Sequence, residues 1–182
     1  MKRILAATTL AAVLLFFWGF VFWTVLEPTV GVFRAAPDEA ALGQALKAHL
    51  SEEGTYFLPM DTSNMDAWTA RHEDGPLATI MFRPQGAPPM APSVLGAGFV
   101  HMWVSILMMA FLVRWIARFL GSFRQRFLLV AWIGAIEAVF ANLGRPIWYF
   151  QPWDYHVLQA VYALSAWALV GLVLAWFLHG DT

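Results

Sequence analysis

Glu137, Asn142 and Arg145 stand inside FLLVAWIGAIEAVFANLGRPIW, residues 127–148, a stretch long and apolar enough to cross a bilayer. An ionisable side chain in such a setting is costly and by default marks a place where something is bound or moved. Low dielectric penalises a charged carboxyl unless a cation or several donors offset it. Arg145 lies about two helical turns from Glu137, too far for an easy direct pair, and is expected to reach toward the membrane–water interface. His101 or a serine hydroxyl is a better-placed partner. Glu137 is therefore expected to be neutral at rest and to share a hydrogen bond inside the bundle, with Gly134, Ala138 and Ala141 around it as a close-packing face.

Two further apolar stretches carry polar groups at matching depth. Counting at about 1.5 Å per residue, His101 and Asn142 lie roughly 10 Å down and Gln159 slightly less. Ser105, Glu137 and Ser165 lie roughly 15 Å down, near the bilayer centre. Two readings stay open. The polar groups hydrogen-bond one another and hold the helices together, or they line a buried ligand site or proton path. The matched depths point to residues 127–148 as the centre of the bundle.

Other chemistry finds less support. No cofactor is expected, although His101 and His156 make a bis-histidine haem b geometrically conceivable. Met102, Met108 and Met109 near His101 suit copper or, more commonly, packing. His49 and His72 lie among acids in a hydrophilic region and read as surface residues, and His179 reads as a tail residue. The chain has no Cys, which excludes disulfides and thiolate chemistry. No nucleophile elbow, P-loop or dinucleotide fingerprint occurs. Arg114, Arg118, Arg124 and Arg126 form a basic rim that sets topology and attracts anionic lipid head groups.

The elements that position these residues follow from composition. The chain is 60% hydrophobic and only 13% charged, where a soluble domain is nearer a quarter charged. Uncharged residues 4–26 follow the basic head 1–3 and read as an uncleaved signal anchor, because the apolar run is too long for a signal peptide and no small-residue cleavage site follows. Residues 94–113, 127–148 and 156–178 make three further spans, joined by a basic loop 114–126 and a short turn 149–155, with a tail at 179–182. The fold class is therefore an α-helical membrane protein, a four-helix bundle with a small α+β domain inserted between helices 1 and 2.

That inserted region, residues 27–93, holds nine acids against four cations. Pro37 at the first helical position, with Asp38 and Glu39 in the first turn, opens a helix ended by Gly54. Residues 55–58 and 77–82 read as strands, and Asn64 caps a short helix between them. The unit is small enough to be marginal alone, so it is expected to rest on the membrane or a partner. RPQGAPPMAPS, residues 83–93, reads as a stiff linker. Lys2, Arg3 and the four loop arginines put both termini in the cytoplasm and 27–93 outside.

The stretches FFWGFVFWTVLEP, GTYFLP and HEDGPLATIMFRPQGAPPMAP resemble a group of uncharacterised bacterial inner-membrane proteins with an aromatic W-G-F first span, a small outside domain and three further spans. The resemblance implies a bacterial inner membrane with 27–93 periplasmic. It carries no activity and no catalytic residue. The expected role is non-enzymatic: an accessory, assembly or sensing component working through the lipid bilayer, a membrane-protein partner or its own oligomer, and not through nucleic acid. A small oligomeric transporter or channel using Glu137 is the alternative, and a haem- or quinone-binding enzyme subunit the third.

Overall fold

A computed structural model describes residues 1–178; the expected tail, 179–182, lies outside the described residues. Among the described residues, four helices are long and apolar enough to cross a membrane: Lys2–Val25, Pro92–Phe119, Phe123–Tyr149 and Trp153–Phe177. A small helix-and-strand segment lies between the first and second, which is the expected architecture. We call the membrane face carrying that segment the domain side, and the opposite face the loop side.

Four of the described helices begin where local chemistry dictates. In α4 (Pro92–Ile116), proline occupies the start, where its missing N–H costs nothing. A capping box starts α5 (Phe123–Glu137): Gln125 N donates to Ser122 Oγ at 3.2 Å, and Ser122 N reaches Gln125 Oε1 at 3.1 Å. Helix therefore extends into the expected basic loop from both ends, leaving only residues 120–122 as a non-helical connection. In α2 (Glu39–His49) the cap is the Asp38 side chain, which accepts from Ala41 N at 2.8 Å, so Pro37 precedes the helix instead of opening it. Asn64 caps α3 (Met65–Asp74) by accepting from Ala67 N at 3.0 Å. The strands β1 (Gly54–Leu58) and β2 (Ala78–Phe82) pair antiparallel, with Tyr56 opposite Ile80.

The first span packs on the second and fourth, and the fourth packs most heavily on the third, whose domain-side end is α6 (Gly144–Tyr149). The second and third spans barely meet. The middle of the bundle is thus held by α1 (Lys2–Phe20) and α7 (Trp153–Phe177), not by the third span as the matched depths suggested. Two glycines explain the tight pairing of α5 with α7. A Cβ on Gly134 would collide with Cβ of Trp167, and one on Gly171 would lie 3.3 Å from Val130. Each helix gives the other a groove, as small residues do where lipid supplies no hydrophobic drive.

One continuous apolar core, from Ile4, Ala7 and Ala11 through Ile106, Val113 and Val130 to Val170 and Leu174, occupies the loop-side half of the bundle. On the domain side, aromatic packing joins the first and fourth spans. Phe22 is buried, and Phe22 and Trp23 lie 5.1 and 5.2 Å from the Tyr162 ring. These rings pack between helices and do not serve only as interface anchors. The extramembrane helices contain no buried residue. Ring contacts tie that segment to the bundle: Phe57 stacks on Tyr149 at 5.9 Å, His72 meets Phe150 at 5.3 Å, and Phe33 meets Tyr155 at 5.6 Å.

Candidate functional site

Where the second and third spans part, a cavity of about 340 Å³ opens in the domain-side half of the bundle. Its polar lining comes from three helices: His101 and Ser105 on α4, Glu137 and Asn142 on the third span, and Gln159 and Tyr162 on α7. Leu15, Ile106, Ala166 and Trp167 supply apolar wall. The volume lies at the small end of the range of ligand sites, roughly 300–1,000 Å³.

The third span brings Glu137 and Asn142 together by leaving α-helical geometry. In a regular α-helix, residues five apart point about 140° away from each other. From Ala138 to Leu143 the span is a π-helix, whose i→i+5 hydrogen bonds bring such residues onto one face. Pro146 gives a sequence reason for a break here: it has no N–H for the Asn142 carbonyl and would collide with it in a regular helix. Inserted π-turns occur frequently at functional sites.

Five of the six polar residues singled out by depth line this cavity; Ser165 does not. Its hydroxyl accepts from Trp18 Nε1 at 2.9 Å and donates to the Tyr162 carbonyl at 2.8 Å, so it joins the first and fourth spans. Ser105 Oγ donates back to the His101 carbonyl at 2.9 Å, and Gln159 Nε2 donates to Tyr155 Oη at 2.8 Å. The Glu137 carboxyl, the His101 ring and the Asn142 amide have no hydrogen-bond partner among the described residues. The expected bond from Glu137 to His101 or a serine is thus not made, because the seam holds the second and third spans apart. Gly134 and Ala138 are buried as a packing face requires, but Ala141 is exposed. Tyr162, which the depth count passed over, joins the lining; its signal was a position three residues after Gln159, on the same helix face.

The other singled-out residues lie elsewhere. Buried His156 is hydrogen-bonded through Nε2 to Gln151 Oε1 at 2.7 Å and does not line the cavity with His101. The described residues contain no group of three or more metal-ligating side chains. Arg114, Arg118 and Arg124 are exposed on the loop side, with the Arg118 guanidinium 4.8 Å from the Phe119 ring centre. Arg126, expected on the same rim, is 5% exposed and faces inward. Its Nη1 donates to the Leu120 carbonyl at 2.7 Å and its Nε to the Ala175 carbonyl at 3.5 Å. The reason is the early start of α5, which turns Arg126 toward the C-terminal carbonyls of α7, where a cation also suits the helix dipole.

No family model, curated protein or solved structure matches the chain. The likeness to bacterial inner-membrane proteins drawn from the W-G-F span therefore has no matched family behind it, and the site's chemistry rests on its own residues. A carboxyl, an imidazole, two amides and hydroxyls face one membrane-embedded space. Such a set can hold a group that presents hydrogen-bond donors or a positive charge to Glu137 while its apolar part lies against Trp167 and Leu15.

Proposed function

We propose that this multi-pass membrane protein is a non-enzymatic accessory, assembly or sensing component, and that it meets its partner at the seam between the second and third spans. The observation carrying this reading is the cavity itself. Three polar side chains there lack partners among the described residues, at a place where neighbouring spans do not pack. In lipid, such groups gain most from a partner that satisfies them. The partner is a membrane segment or membrane-resident molecule bearing a donor or cation opposite Glu137. The basic head and the exposed loop-side arginines support a cytoplasmic loop side. We place the protein in a bacterial inner membrane with residues 27–93 in the periplasm.

Purification from native membranes tests the reading. The wild-type chain should carry a stoichiometric partner. Glu137→Gln should weaken that association, and Glu137→Leu should abolish it, while helicity and monodispersity stay unchanged. Equal recovery of the partner with all three chains, or no partner with any, would overturn it. The uncompensated carboxyl also favours a second reading, a small oligomeric transporter or channel. That reading requires a homo-oligomer whose flux in proteoliposomes depends on Glu137.

A further inference from the structure

A second space lies on the opposite face of the same π-helical stretch. This cleft, about 640 Å³, is bounded by the two-stranded sheet and by the domain-side end of the third span. We propose that it seats one phospholipid of the domain-side leaflet, with the phosphate on Arg145.

The lining changes character where a lipid does. On the membrane side Val139, Phe140 and Leu143 offer apolar wall, and Val139 and Phe140 are 61% and 85% exposed. These belong to the membrane-crossing helix, so acyl chain is what would cover them. One turn further toward the domain side, Arg145 is the only charged residue in the lining. It is exposed and makes no ion pair among the described residues. A guanidinium presents a planar fork of donors matching two oxygens of a phosphodiester. Beyond it, Thr55 on β1 and Thr79 on β2 add hydroxyls at head-group level. The stacking of Phe57 on Tyr149 holds the two-stranded sheet over this end of the helix. Apolar wall, single cation and hydroxyl roof thus follow the order of acyl chain, phosphate and polar head. This site is separate from the seam cavity and does not depend on what binds there.

The test is the thermal midpoint of the detergent-purified full chain, titrated with dioleoylphosphatidylglycerol in mixed micelles. The lipid should raise the wild-type midpoint, whereas dioleoylglycerol, which has no phosphate, and inorganic phosphate, which has no chains, should not. Arg145→Gln should abolish the shift, and Lys47→Gln, an exposed cation of α2 outside the cleft, should keep it. Thr79→Trp fills the cleft from outside the membrane and should also abolish the shift, which keeps the test decisive if Arg145→Gln folds poorly. The proposal is overturned if the shift survives both Arg145→Gln and Thr79→Trp, if Lys47→Gln removes it, or if inorganic phosphate alone reproduces it. It is equally overturned if the cleft is occupied by a second copy, seen as a lipid-independent dimer that Thr79→Trp dissociates.

Discussion

The loop-side half of the bundle is closed and the domain-side half is open. Near the loop side, small and branched apolar residues of all four spans meet in one core with Ala7, Ala11 and Ala110 fully buried. Near the domain side, the second and third spans separate, the third span changes to π-helix, and two spaces open on its flanks. The extramembrane segment beyond has no buried residue in either of its helices. Packing holds one half, whereas capping bonds, ring contacts and a polar cavity lining characterise the other. A single bundle can therefore stay assembled at one end and present binding surfaces at the other.

The largest way to break this contrast is steric. Gly134→Val places a branched side chain into the backbone-proximal atoms of Trp167, which cannot swing away. The expected cost is about 3 kcal/mol, the upper part of the overpacking range. Leu174→Ala, a cavity in the closed half, should cost about 2 kcal/mol. Glu137→Leu in the open half should change stability by less than about 0.5 kcal/mol. Reversible unfolding in mixed micelles measures all three, and a Glu137→Leu effect as large as that of Leu174→Ala would erase the distinction.

A smaller effect sharpens it. The Trp18–Ser165 hydrogen bond joins the first and fourth spans on the domain side. A double-mutant cycle with Trp18→Phe and Ser165→Ala should give a coupling of about 0.6 kcal/mol, as for other interhelical bonds in membranes. A coupling near zero would mean that the rings alone make this contact.

The smallest effect concerns the extramembrane segment. Asp61 accepts from the hydroxyl and backbone N–H of Ser63, at 2.7 and 3.0 Å, and these bonds, with Arg71 nearby, hold its carboxyl below the usual carboxylate range. A depressed folded pKa gives stabilisation that is full above the unfolded value and lost as pH falls through the folded one. Acidification below the ordinary carboxylate range should therefore loosen the turn at Asp61–Ser63 while leaving the bundle intact. Amide exchange at Ser63 reads this directly, and Asp61→Asn should remove the pH dependence.

Much of this organisation was legible in the residues. Charge-free runs locate the spans because length and polarity alone decide whether a helix suits a bilayer. Asn64 announced its cap because its side chain acts on N–H groups close in sequence. Depth was legible for His101, Ser105, Glu137, Asn142 and Gln159, because rise per residue is nearly constant. Direction around the helix was not. The π-turns at Ala138–Leu143 change the facing of Asn142, and depth alone does not say which face of α7 turns Ser165 to Trp18. Which spans separate was equally hidden, since it depends on Gly134 receiving Trp167 from a helix more than thirty residues further along the chain. Ser122 and Gln125 carry a capping-box signal, and the helix start it sets shortens the basic loop and turns Arg126 inward.

Because the chain contains no native Cys, single cysteines can test the open seam most directly. Ser105→Cys lines the cavity and Ala110→Cys lies in the closed core of the same helix. With N-ethylmaleimide in mild detergent, the thiol at position 105 should react readily and the one at 110 only after unfolding. The partner that co-purifies from native membranes should protect position 105. Equal reactivity at the two positions, or labelling at 105 unchanged by a bound partner, would contradict the account.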